Sequence, residues 1–301
     1  MKLRARPASQ AETRPQSGFW SRLAANRLAL ISLIGLILLV ITAIFGPLVY
    51  DRSAVKLNYH AINSLPTPEF VLGTDNLGRD TLARLMLGLQ VSLLVALYVE
   101  VLDILIGVPL GLLAGYFGGW VDVLVTRLAD LLFAFPGLLL AILVAAIFGP
   151  AVTERFGGIG RLLLVAGALS LVSWPLMARY VRSQTLVIRE QDYVSAARSL
   201  GADDRRIISS HVLPQLVGLV ITSSTLNVAG VVVNEAVLSL LGLGIQPPAP
   251  SIGKMITEAI PYLESNPLQV FLPSLALMLI VLGVSFLGDG LRDAFDPQST
   301  R

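Results

Sequence analysis

The residues able to do chemistry are few and scattered. In 301 residues there are two histidines, His60 and His211, and no cysteine. Without thiols the chain has no disulfide, no thiol nucleophile and no cysteine metal site. No HExxH pair is present, which removes the helix-borne zinc protease arrangement. A serine nucleophile needs its histidine base beside it, and both histidines fall between the apolar runs. Gly288-Asp289 lacks the earlier glycine of an intramembrane aspartyl motif, because Phe286 stands in its place. The lysines are Lys2, Lys56 and Lys254. Only Lys254 follows a glycine; Met255 comes next, and Pro248 occupies the position of the first glycine in a phosphate-binding loop. These residues predict a chain with no catalytic residue, no metal site and no cofactor of its own.

The informative ionisable residues lie inside apolar runs: Glu100, Asp103, Asp122, Arg127, Asp130 and Glu235. Each costs about 2.5–3.5 kcal/mol to place in a membrane core, so each needs a reason to be there. Arg127 and Asp130 are three apart and can meet on one helix face. Others sit near run ends, where they can reach water. Glu235 is the candidate for lining a translocation path.

The surrounding composition is that of a membrane protein. Hydrophobic residues make up 54% and charged residues 14%, against about 25% charged in a soluble domain. Mean hydropathy is +0.75. The net charge of +2 does not indicate nucleic acid, because the basic residues flank apolar runs instead of forming one patch. Six runs are long enough to span: Leu28–Tyr50, Val91–Gly115, Val123–Phe148, Leu162–Ala178, Leu216–Leu241 and Phe271–Leu287. They are continuous, unlike the alternating segments of a membrane β-barrel. Pro109, Pro136, Pro175 and Pro273 fall within them, which membrane helices tolerate. The first run is too long for a signal peptide and reads as an uncleaved anchor.

The expected fold is an all-α membrane protein of six transmembrane helices. It divides into a cytosolic tail (1–26), a first transmembrane helix (27–50), an extracytoplasmic segment (51–90), a core transmembrane domain (91–291) and a cytosolic C-terminal tail (292–301). With both termini in the cytosol, fourteen Lys and Arg lie inside and seven outside, as the positive-inside rule requires. Gly288-Asp289-Gly290 reads as the inner stop of the last helix.

One polar stretch, 183–214, is too patterned to be a plain connector. Tyr193, Ala196, Ala197 and Leu200 recur at the spacing of one helix face. Gly201 suits the left-handed residue after a helix. Asp203 or Asp204 can cap a second helix, which Pro214 closes near the membrane. The spacing predicts a helix, a sharp turn and a second helix projecting from the bilayer, with small residues at Ser195, Ala196 and Ala197 permitting close approach by another protein. An amphipathic connector lying on the membrane surface fits the same spacing.

Ala196-Ala197-x3-Gly201, followed by His211-Val-Leu-Pro214, resembles the EAA loop of ABC importer membrane subunits, with Ser195 where glutamate is usual. Leu72-Gly73-Thr74-Asp75-Asn76-Leu77-Gly78-Arg79-Asp80 is similar to the LGTDxxGRD signature of the dipeptide, oligopeptide and nickel permeases, C-type subunits. Asn234 to Gly244 with Pro247-Pro248-x-Pro250-Ser251 is similar to that family's EAxLSFLGLG-x2-PxPSWG stretch, with Ile252 where tryptophan is usual, and Gly288 to Pro297 resembles its C-terminal GDxLRDxLDP.

The resemblance implies an ATP-driven importer permease in the bacterial cytoplasmic membrane, handling di- or oligopeptides, nickel chelates or glutathione. It implies a homologous second permease, two ATP-binding subunits that use ATP-Mg, and an extracytoplasmic solute-binding protein. It also implies an ATPase-coupling role for Asp192, Tyr193, Ser195, Ala196, Ala197, Leu200, Gly201, Ala202, Asp203, His211 and Pro214. Read bottom-up, Gly73 and Gly78 suit turns and Asp80 a helix cap, so Gly73, Thr74, Asp75, Gly78, Arg79 and Asp80 are expected to form a structural knot. A gradient-driven transporter is the alternative; it explains buried acids but not a helix–turn–helix outside the membrane.

Overall fold

The computed structural model describes residues 19–295. Most of the expected N-terminal tail, and 296–301 of the C-terminal one, lie outside the described residues. Among the described residues ten α-helices follow one another: α1 (Phe19–Ala25), α2 (Arg27–Val49), α3 (Thr81–Phe117), α4 (Gly119–Phe133), α5 (Gly137–Arg189), α6 (Asp192–Ser199), α7 (Asp204–Ile207), α8 (Leu213–Leu240), α9 (Ile252–Ala259) and α10 (Leu268–Phe295). Among the described residues the only extended pairing is an isolated bridge between Thr74 and Asp80.

Among the described residues five helices are long and apolar enough to cross a membrane. The 53-residue α5 would reach about 80 Å if straight, more than twice the roughly 30 Å of a hydrocarbon core. It is not straight. Gly157 has φ 63° and ψ −153°, a conformation that breaks the helix and that glycine adopts without strain. The backbone at Gly149 then lies against Arg161 and that at Gly137 against Val172, so the two arms of α5 run antiparallel. With α2, α3, α8 and α10 they make six crossings, the expected number.

Three boundaries differ from expectation. The run expected at Val123–Phe148 is two helices, α4 and the first arm of α5, because Pro136 lies at the junction as the residue preceding α5 and cannot donate to a continuing helix. Helix α3 starts at Thr81, ten residues before Val91, because Asp80 caps it by accepting from the Ala83 amide at 2.9 Å. Helix α10 runs straight through Gly288-Asp289-Gly290 to Phe295. Those glycines do not stop it; they let it approach its neighbours, Gly288 against Leu226 and Gly290 against Ala29.

The core lies where α3, α5, α8 and α10 meet, around Val95, Val99, Val165, Leu169, Val232 and Ile280. Between helices in lipid, small residues permit the close packing that hydrophobicity alone does not supply. Gly107, Gly111 and Gly115 form such a seam on α3, facing Met177, Ala178 and Thr185 of the second arm of α5. This seam positions the site, because α3 ends one residue past Tyr116.

Candidate functional site

The end of α3 carries a helix–turn–helix. Helix α6 stops at Ser199; Leu200 is its cap and Gly201, at φ +84°, the left-handed residue after it. The Ala202 amide donates to the Ala197 carbonyl at 3.1 Å and the Gly201 amide to the Arg198 carbonyl at 3.0 Å, the paired bonds of a Schellman ending. Asp203 then caps α7, accepting from the Arg206 amide at 3.0 Å. Asp192 occupies the first turn of α6, where a negative charge suits the helix dipole.

Val194 and Ile207 are fully buried and anchor the pair of helices against Tyr116, Met177, Val181, Ile188 and Leu216. The opposite face is bare: Tyr193, Ser195 and Ala196 are exposed, Ala197 is half-buried, and Leu200 is 89% exposed. An apolar side chain that exposed, on an eight-residue helix held in place from below, is available to a partner.

Beyond α7 the chain does not end its helix at Pro214 as expected. A π-helical turn, Ile208–Val212, joins α7 to α8, and Pro214 falls in the first turn of α8. A proline ring crowds the carbonyl four residues earlier, and the wider π turn makes room for it. His211 lies in that turn with its ring 6.1 Å from that of Tyr193, and the Tyr193 hydroxyl accepts from Gln215.

Polar tethers tie this element to the membrane helices. The Tyr116 hydroxyl donates to Asp204 Oδ1 at 2.6 Å, and Arg198 reaches the same hydroxyl at 3.4 Å. Arg189, at the end of α5, donates to the carbonyls of Gly115 and Tyr116 at 2.9 and 3.2 Å. Sequence reasoning missed Tyr116 and Arg189; the signal was there in an aromatic donor and a cation placed at the ends of apolar helices.

At the other end of α3 the six residues Gly73, Thr74, Asp75, Gly78, Arg79 and Asp80 come together. Gly73 (φ +74°) and Gly78 (φ +72°) turn the chain. Buried Thr74 accepts from the Ser64 amide at 2.9 Å and donates to the Ala61 carbonyl. Asp75 Oδ2 faces two guanidinium groups, Arg79 at 2.6 Å and Arg84 at 3.2 Å; Glu258 of α9 faces the same two at 2.8 and 2.7 Å. Tyr50 donates to Asp80 at 2.7 Å. Glu258 was not foreseen; two buried arginines with a single aspartate were the hint that a second acid was needed.

The acids of the spans divide into two groups. Asp122 pairs with Arg182 and Asp130 with Arg179 at 3.1 Å, across helices and not along one, so the pairing expected between Arg127 and Asp130 is not formed. Among the described residues Glu100, Asp103 and Glu235 have no cationic partner. Glu235 is fully buried and accepts from Ser239 at 2.7 Å and Ser92 at 3.1 Å, so in this conformation it faces no open path.

The chain is thus an all-α membrane protein of six crossings with a helix–turn–helix held out on one face. Residues 107–301 match the family described as binding-protein-dependent transport system inner membrane component, and residues 16–66 match the N-terminal TM domain of oligopeptide transport permease C. The chain belongs to that family of inner membrane components. It is 37% identical to the dipeptide transport system permease protein DppC of Alkalihalophilus pseudofirmus, over 93% of this chain and 88% of that one. It is 38% identical to the glutathione transport system permease protein GsiD of Pectobacterium atrosepticum, over 94% and 91%. It shares its fold with a chain of the MetNI methionine ABC transporter in an inward-facing form, with a TM-score of 0.52 and 19% identity, over 69% of this chain and 94% of that one.

Proposed function

We propose that this chain is a channel-forming permease subunit of an ATP-driven importer for di- or oligopeptides, glutathione among them. The substrate class is supported by the dipeptide and glutathione permeases it is similar to. Its partners are a homologous second permease, two ATP-binding subunits that use ATP-Mg, and an extracytoplasmic solute-binding protein. The chain has no catalytic residue and binds neither nucleotide nor nucleic acid. Both termini and the α6–α7 element face the cytosol; residues 51–80 and α9 face outward, and membrane lipid surrounds the exposed apolar helices.

The single observation that carries the coupling role is the construction of α6 and α7. Their buried side is fixed by Val194 and Ile207, while Tyr193 on α6 and Leu200 beside the Gly201 turn are left exposed. In the mechanism this implies, ATP closes the ATPase pair and the docked α6 moves with it. The Tyr116–Asp204 bond passes that movement to α3 and the chain itself passes it from α6 to α5, which the Arg189–Gly115 bond ties to α3, and the crossings rock between inward-open and outward-open states. Substrate released by the binding protein crosses between the two permeases without covalent chemistry.

The test is uptake by proteoliposomes holding the complete complex and its binding protein. Labelled dipeptide or glutathione should accumulate only with ATP inside and loaded binding protein outside. Uptake driven by an ion gradient without ATP would overturn the proposal.

A further inference from the structure

Glu100 and Asp103 lie one turn apart on α3, near the middle of its 37 residues. Both are buried, at 6% and 1% exposure, and a second subunit laid against the chain can only cover them further. Asn227 of α8 reaches between them, its amide nitrogen donating to Glu100 Oε1 at 2.7 Å and to Asp103 Oδ2 at 3.2 Å. Ser170, on the second arm of α5, donates to Asp103 Oδ1 at 2.6 Å. The other oxygen of Glu100, Oε2, is buried outside any close hydrogen bond, and the buried hydroxyl of Ser224, on the same side of α8, faces the Glu100 carboxylate.

No cation neutralises the pair among the described residues. On α5, Arg161 is spent on the carbonyls of Gly244, Leu243 and Ala145, Arg179 on Asp130, Arg182 on Asp122, and Arg189 on Glu190 and backbone carbonyls; Glu154 and Arg155 lie at the reversal near Gly157. The charges of α4 are Asp122, Arg127 and Asp130, and neither carboxylate of α3 pairs with Arg127. The acid of α8 is Glu235, bonded to serines. Arg27 stands at the start of α2, Lys254 and Glu258 on α9 by the outer ion cluster, and Asp289, Arg292 and Asp293 in the last turns of α10.

Two ionised carboxylates sharing one amide in an apolar interior repel each other, and burial penalises each charge. Neighbouring carboxylates in that position resist being ionised together, and one of them keeps a proton. A metal ion is the poorer fit, since the group at the centre of the site is an amide NH₂, a donor and not a ligand. We propose that Glu100 and Asp103 form a proton-binding site, holding one shared proton in the folded chain at neutral pH. The proton, taken from water, makes one carboxyl oxygen a donor and leaves a single negative charge facing Asn227 and Ser170. The site joins α3, α5 and α8 at one point.

Infrared spectroscopy of the full chain in lipid nanodiscs tests this. The neutral carboxyl C=O band, identified by its shift in D₂O, is compared at neutral pH in wild type, Glu235→Gln, Glu100→Gln/Asp103→Asn, and the triple variant. Helicity is checked by circular dichroism, and the isosteric amides preserve shape. The double variant should lose the intensity of one carboxyl relative to wild type, whether or not Glu235→Gln removes another. Replacing sodium by choline should change nothing. Equal intensity in wild type and double variant, or a loss of two carboxyls, would overturn the shared proton, and so would a band that depends on sodium. Should the double variant not fold, Glu100→Gln alone is compared with wild type at neutral pH; it should lose one carboxyl's intensity, because the remaining aspartate no longer shares its site with a second charge, and intensity equal to wild type contradicts the shared proton.

Discussion

The Tyr116 hydroxyl stands 2.6 Å from Asp204 Oδ1 and so bonds the last turn of α3 to the first residue of α7. The other end of α3 is held by Asp80, Arg84 and the outer ion cluster. One helix of 37 residues therefore connects the exposed helix–turn–helix to the opposite face of the protein. Tyr116→Phe removes the bond and leaves the ring packed. It should cost about 0.5–1.5 kcal/mol locally and speed amide exchange in 204–208 severalfold, with membrane abundance unchanged. Unaltered exchange there would show that the bond carries nothing.

Glu258→Gln strands two buried guanidinium groups on Asp75 alone. Removing one partner of a buried pair costs about 3–5 kcal/mol, so the purified variant should unfold at a clearly lower temperature in detergent. The Arg52–Glu69 pair is exposed on both sides, and Glu69→Gln should cost at most about 1 kcal/mol. Equal shifts for the two variants would contradict the role given to the ion cluster.

Gly111→Leu tests the seam between α3 and α5. A side chain at Gly111 would run into the Ala178 carbonyl and Val181, and overpacking of this kind costs about 1–3 kcal/mol. The yield of monodisperse chain should fall. Gly167→Ala is the control, since a Cβ there meets nothing within 4 Å, and its yield should match wild type.

Local chemistry was legible in the sequence and long-range chemistry was not. Six crossings followed from the apolar runs. The Gly201 turn and the caps at Asp80 and Asp203 followed from residue types whose preferences act within a few positions. Pro214 misled, because whether a proline ends a helix or is absorbed by a π turn depends on what packs around it. Gly288 and Gly290 misled for the same reason: a glycine that permits a close helix contact looks in sequence like one that ends a helix. Tyr116–Asp204, Arg84–Glu258 and Glu100–Asn227 join residues 88, 174 and 127 positions apart, and no spacing rule reaches that far. The Gly107-Gly111-Gly115 seam was in plain view at four-residue intervals.

The central claim is that α6 docks on an ATPase through a face shaped by Gly201. A Cβ at Gly201 meets nothing within 4 Å, so only its φ of +84° constrains the residue. A left-handed conformation costs a non-glycine residue about 1–2 kcal/mol, with asparagine better tolerated than a β-branched side chain. The direct measurement is ATP hydrolysis by the reconstituted complex, with and without loaded binding protein, with membrane abundance followed by blot. Gly201→Val and Ala197→Glu should insert normally, yet lose most of the stimulation. Gly201→Asn and Ser195→Glu should retain most of it. Wild-type stimulation in both Gly201→Val and Ala197→Glu would contradict the docking assignment and return α6 and α7 to a surface connector.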